Sequence, residues 1–225
     1  MGPIQLVVFD MAGTTVDDTG NRVLTCLIET ARIHNLPGTR EELNALMGMN
    51  KREVFEMLAA RQLSGHSDTA HKLAEEALAT FVDQMKAAYS QHVAPIDGAE
   101  ETFAFLKERS IKVALDTGFD SIIGGIILDR LGWLGRYVDC AVFSSDVSRG
   151  RPAPFMIFRA MGQLDVQDVR QVMKLGDSPA DLDEGSNAGC GEVIGVLSGA
   201  HTATTLGRYR HTRLIPSVAA LPSLF

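Results

Sequence analysis

The chain has few cysteines, few aromatic residues, no long apolar run and no excess of positive charge. Its three cysteines, Cys26, Cys140 and Cys190, are odd in number, far apart and without a CxxC pair. That excludes a dense disulfide framework or a cysteine-rich metal site and points to a reducing, cytoplasmic setting. The longest apolar run, Ile122 to Leu128, contains two glycines and falls far short of the roughly 20 residues that a membrane helix needs. At the N-terminus, Asp10 interrupts the stretch Ile4 to Phe9 before a signal peptide is complete, so export is not expected. With 21 Lys and Arg against 28 Asp and Glu, the net charge of -7 opposes general binding to nucleic acid. The expected partner is a small molecule. What the sequence does have is 225 residues with 45% hydrophobic content, enough for a sizeable core without staples.

Short apolar runs rich in β-branched residues recur at Ile4 to Phe9, Ile111 to Leu115, Val138 to Phe143, Val169 to Leu175 and Glu192 to Leu197, and read as buried strands. Between them, helical apolar spacing marks Ala99 to Arg109, Ser121 to Leu131, Pro154 to Gly162 and Pro179 to Ala188. This alternation predicts an α/β fold, a Rossmann-like doubly wound parallel sheet with helices on both faces. The region from Val23 to Gln91 breaks the alternation with helical patterns alone, and reads as an inserted all-helical domain. Thr39 with Glu42, and Asn50 with Glu53, suit helix starts; the longest helix is expected from Asp68 to Ser90. The predicted division is a core of residues 1–17 and 92–225 and a helical cap of residues 18–91.

Four short segments follow predicted strands, where open α/β sheets bind ligands. Asp10 ends the first strand and leads into Met11-Ala12-Gly13-Thr14-Thr15. Thr117-Gly118 follows the second, placing a hydroxyl and a flexible backbone there. Arg149-Gly150-Arg151-Pro152 supplies fixed positive charge suited to phosphate. Gly176-Asp177-Ser178-Pro179-Ala180-Asp181 clusters carboxylates of the kind a hard cation such as Mg2+ prefers. Taken singly, each also fits turn or helix-start chemistry.

In this order the four segments resemble the haloacid dehalogenase superfamily over essentially the whole chain. The resemblance implies that Asp10 is a covalent nucleophile, that Thr117 and Gly118 bind the transferring group and that Arg151 neutralises it. It also implies that Asp10, the Ala12 carbonyl, Asp177 and Asp181 organise Mg2+, and that the helical insertion is a cap. Attack by Asp10 on phosphorus leaves an aspartyl phosphate for water to cleave.

Most phosphatases of this superfamily carry a second aspartate two residues after the nucleophile, as general acid. Here that position is Ala12, and loss of such an acid typically forfeits about 100-fold to 10,000-fold in rate on an ordinary ester. The motif from Asp10 to Thr15 resembles that of the phosphonatases, enzymes like phosphonoacetaldehyde hydrolase, in which this alanine is a hallmark. Met47-Gly48-Met49-Asn50-Lys51 is similar to the cap segment in which that family's lysine forms an imine with the substrate aldehyde. The two features explain one another: carbon–phosphorus cleavage releases a carbanion, which a protonated imine at Lys51 takes up as an enamine without an acid at position 12. The start of a helix and the neighbouring Arg52 are expected to ease deprotonation of Lys51.

Two positions depart from the family. Val54 stands where it carries histidine and Phe119 where it carries tyrosine, so a substrate other than phosphonoacetaldehyde is open. Val196-Leu197-Ser198-Gly199-Ala200-His201 also resembles a related phosphonatase-like group. A Mg-dependent phosphatase of a small metabolite, and a ligand-binding relative without turnover, are the alternatives. A homodimer through the cap helices is implied by the resemblance alone.

Overall fold

The computed structural model describes residues 3–65 and 67–225. Six parallel strands form one sheet in the order β3-β2-β1-β4-β5-β6. They are β1 (Leu6–Asp10), β2 (Lys112–Thr117), β3 (Cys140–Phe143), β4 (Val172–Gly176), β5 (Glu192–Val196) and β6 (Arg213–Ile215). Alternate residues of β1 enter different cores: Val7 and Phe9 join one hydrophobic cluster, Leu6 and Val8 the other, as the two-residue period of a strand requires. Helix α5 (Ala99–Glu108) packs on one face, where Phe103 meets Phe9 edge-on at 5.2 Å. Helix α7 (Phe155–Gln163) covers the other through Met156, Ile157 and Ala160. The remaining core helices are α6 (Ser121–Leu131), α8 (Pro179–Ala188) and the single turn α9 (Ala203–Leu206).

Between β1 and α5 lie α1 (Arg22–Ile33), α2 (Arg40–Asn44), α3 (Lys51–Gln62) and α4 (Asp68–Gln91), with no strand among the described residues. The two connections to this helical lobe run side by side: Val16 bridges Pro95, Asp17 N–H donates to the Ala94 carbonyl at 2.9 Å, and Ile96 N–H to that of Thr15 at 2.9 Å. Thr39 and Glu42 form the reciprocal cap expected of them. Asn50 caps α3 by accepting from Arg52 N–H at 2.9 Å, but Glu53 does not answer it. Its carboxylate instead accepts from Gly150 N–H of the core at 2.8 Å, tying the lobe to the sheet domain.

Most element boundaries differ from the sequence expectation by one or two residues, one strand starts later than that, and one strand was not expected. Residues Val169–Gln171 form a 3-10 turn, with Asp168 accepting from Arg170 N–H, so the fourth strand starts only at Val172. The third strand begins at Cys140 because Trp133 to Val138 are taken up in a turn closed on the Trp133 carbonyl. Strand β6 has three residues at the sheet edge, too short for its alternation to stand out.

Candidate active site

Parallel register fixes the first feature of the site. Asp10 and Asp116 are direct neighbours at the carboxyl ends of β1 and β2, Thr117 lies one residue beyond, and Asp177 follows β4. The turn after Asp10 is closed by the Met11 carbonyl, which accepts from Thr14, Thr15 and Val16 N–H, and by the Thr15 hydroxyl donating to the Asp10 carbonyl at 2.8 Å. The segment after β5 fastens Asp177: Ala200 N–H donates to its carboxylate at 2.6 Å, and His201 Nδ1 lies 3.2 Å from its carbonyl oxygen.

Beneath Asp10 is a buried ionic network. Arg151 is fully buried; its guanidinium reaches Asp10 at 2.7 Å, Asp181 at 2.9 Å and Glu184 at 3.0 Å, and also pairs with Asp116. Lys174, inside β4, pairs with the same Asp116 and lies 3.2 Å from Asp181 and 3.1 Å from Glu184. Arg151 therefore approaches the site through Asp10 and is not on the wall of the open cleft. Asp116, Lys174 and Glu184 were not singled out from the sequence. The signal was a lone lysine in the strand Val172–Gly176, whose other residues are apolar or glycine; a buried lysine needs a partner.

Above Asp10 is a narrow cleft with about 30 Å³ of free space, lined by Asp10, Ala12, Met47, Lys51, Thr117 and Asp177, among others. Gly118 also lines it, so the structure brings together every residue named for the site except Arg151 and Asp181, which sit behind it. The Thr117 hydroxyl accepts from Phe119 N–H at 3.2 Å, and its own proton is free to turn toward a ligand. The helical lobe closes over the cleft by backbone contact. A side chain at Gly48, whose φ is 80°, would strike Ser178, and one at Gly118 would come within 2.6 Å of the Met49 carbonyl oxygen. Lys51 is only 5% exposed, and its ammonium donates to the Met49 carbonyl at 3.0 Å. Burial, followed by the charge of Arg151, pulls its pKa down to about 8 against the opposing pull of Asp10 and Asp181. The direction agrees with the sequence expectation, but the cause does not: Arg52 is turned outward onto Glu75.

The acids respond to crowding. Burial and Asp181 raise Asp10 to about 6 against Arg151 and Lys174, and burial with Asp116 raises Glu184 to about 8. Burial, Asp10 and Asp181 hold Asp177 well above the usual carboxylate range. Asp116, gripped by Arg151 and Lys174, is instead lowered despite its burial. Among the described residues, five buried carboxylates face three buried cations, an excess that a divalent cation at Asp10 and Asp177 would offset. The carboxylates of Asp10, Asp116 and Asp181 also lie within 4.8 Å of one another. Asp116 is already held by two cations and Asp181 by Ser178, which donates at 2.5 Å, so Asp10 and Asp177 are the pair open to the cleft. The donors are all oxygens, which fits Mg2+.

Residues 4–189 match the family model of haloacid dehalogenase-like hydrolases. The chain belongs to that family. Among curated relatives of this hydrolase, the phosphonoacetaldehyde hydrolase of Bacillus cereus (strain AH187) is 32% identical over 208 residues, spanning 88% of this chain and 77% of the relative. That of Syntrophobacter fumaroxidans is 30% identical over 212 residues, spanning 91% and 76%. The fold is shared with a hydrolase from Pseudomonas syringae at a TM-score of 0.85 and 20% identity, covering 98% and 97% of the two chains. It is also shared with a phosphonoacetaldehyde hydrolase-like protein from Oleispira antarctica at 0.81 and 24%, covering 99% and 91%.

Proposed function

We propose that this hydrolase is a phosphonatase that cleaves the carbon–phosphorus bond of a small phosphonate bearing a carbonyl two atoms from phosphorus. The observation that carries the reading is a buried, readily deprotonated Lys51 lining the same cleft as Asp10, with Ala12 where an ester-cleaving enzyme needs an acid. Neutral Lys51 adds to the carbonyl and water leaves, giving an imine. Protonated, the imine draws in the electron pair of the breaking bond as Asp10 takes the phosphoryl group, so the leaving carbon departs as an enamine. The enamine takes a proton at carbon and hydrolysis frees Lys51, while a second water cleaves the aspartyl phosphate. Arg151 holds the Asp10 carboxylate at 2.7 Å in one orientation, and Thr117 and Gly118 line the cleft where the transferring group would lie. Asp10, Asp177 and the Ala12 carbonyl, with Asp181 behind them, would hold Mg2+, which would supply positive charge to the transferring group. Residues 18–91 serve as the cap that delivers Lys51. A cytoplasmic setting and a homodimer through the cap helices belong to the same reading.

Borohydride added during turnover of phosphonoacetaldehyde tests it. Reduction of the imine should fix the two-carbon skeleton to a peptide containing Lys51, and Lys51→Arg should neither trap nor cleave, because a guanidinium is no nucleophile at ordinary pH. Cleavage by Lys51→Arg at near wild-type rate, or an adduct on another lysine, would refute the imine.

A further inference from the structure

The reaction cleft is not the only cavity that Lys51 borders. A second chamber of about 230 Å³ lies between α3, α4 and α6, and Lys51, Gly118 and Phe119 line both spaces. Beyond that shared wall the chamber is bounded by Leu78, Phe81 and Val82 of the cap and by Ile122 and Ile123 of the core. Several of its polar groups are already engaged. Asp120 accepts from Ile122 and Ile123 N–H at 3.1 and 3.0 Å, Ser144 donates to the Phe119 carbonyl at 3.0 Å, and Ser145 accepts from Ser121 N–H at 3.1 Å. Asn50 accepts from Arg52 N–H, and Arg52 itself pairs with Glu75. More than half of the surface the chamber offers a ligand is hydrocarbon, with polar atoms of Asn50, Asp120 and Ser121 among the rest. Ile122 is 51% exposed on its rim, an aliphatic side chain left in water beside an apolar hollow.

A carbonyl carbon bonded to Lys51 carries two substituents. One is the methylene bearing phosphorus, which must point to Asp10. In an aldehyde the other is hydrogen, which would leave the chamber unused. We propose that the chamber is the subsite for a hydrocarbon substituent on that carbon, making 2-oxoalkylphosphonates, ketones with an apolar tail, the preferred substrate class. This rests on the phosphonatase reading and follows the same steps: water is lost as the ketimine forms, the electron pair of the carbon–phosphorus bond passes into the enamine, phosphorus goes to Asp10, and protonation with hydrolysis releases the ketone.

The test is a series running from phosphonoacetaldehyde through 2-oxoalkylphosphonates with methyl to pentyl tails, assayed with Mg2+ by phosphate release, beside a simple phosphate ester. Within the ketone series kcat/KM should rise about fourfold for each methylene that enters the chamber. Leu78→Trp, at a half-buried position where a larger side chain is tolerated, should lower the ratio of pentyl to methyl kcat/KM by about tenfold or more by filling the hollow. The inference is overturned if phosphonoacetaldehyde is cleaved while kcat/KM falls with every added carbon, or if Leu78→Trp leaves the ratio unchanged. If the ester is hydrolysed and no phosphonate in the series is, the phosphonatase reading itself fails and takes the subsite with it.

Discussion

Two lysines are buried at the same end of the sheet, and their surroundings drive them in opposite directions. Lys174, on the floor, lies among Asp116, Asp181 and Glu184, which raise its pKa against its burial and the charge of Arg151. Lys51, in the roof, has a single carbonyl as partner, and burial with the charge of Arg151 lowers it to about 8. Burial alone thus decides nothing about a lysine: with carboxylates paired to it the amine is held as a cation, and with none in direct contact it gives up its proton more readily. The contrast predicts that the floor governs folding and the roof governs chemistry.

The largest effect should come where floor and roof meet. Asp10→Asn should lower turnover by several orders of magnitude while circular dichroism and the unfolding midpoint stay close to wild type; more than about a tenth of the activity surviving would remove Asp10 as nucleophile. Chelation should likewise stop turnover and Mg2+ restore it, with full activity after exhaustive chelation counting against Asp10 and Asp177 as ligands. The lysine comparison is sharpest in a pair of variants. Lys174→Met leaves Asp116, Asp181 and Glu184 with Arg151 as their one shared cation and should cost about 3–5 kcal/mol in urea unfolding. Lys51→Met removes an amine with one weak partner, so it should unfold within about 1 kcal/mol of wild type while losing phosphonate cleavage. Equal losses of stability would break the distinction.

A milder probe is pH. Lys51 attacks as the neutral amine, so the rate of borohydride trapping should climb with pH up to about 8 and then level off, falling about tenfold per unit below it. A trapping rate indifferent to pH between 6 and 9 would mean that Lys51 is not the amine being titrated. Smallest of all, Glu53→Gln weakens the charge-assisted bond to Gly150 N–H that ties the cap helix to the core, and should raise KM by less than about tenfold. An unchanged KM would mean that this contact does not hold the roof in place.

The sheet, its strand ends and the residues gathered there were legible because each rests on a local pattern: a strand period, a following glycine, an acid beside a hydroxyl. Helices α6 and α8 coincide with their predicted ranges for the same reason, Asp120 and Ser178 supplying the caps. The floor was not legible in that way. Arg151, Lys174 and Glu184 come from three separate segments, and no local rule says that a lysine in β4 meets an arginine 23 positions earlier around one carboxylate. The low pKa of Lys51 was expected, but from a helix terminus and Arg52; the fold supplies it by burial and Arg151. Glu53 shows the same limit, since a cap-box spacing read along the chain is satisfied across it.

At one point the seam between the two lobes is main chain against main chain: the Gly48 and Met49 carbonyls rest on Gly118, where a methyl group would not fit. A joint built from backbone has dimensions fixed by peptide geometry and not by rotamers. The reach of the Lys51 amine over Asp10 is then set like the gap of a machined hinge. Either lobe can change its outer surface without altering that gap, whereas a single methyl group on Gly118 would act as a shim and lift the amine away from Asp10.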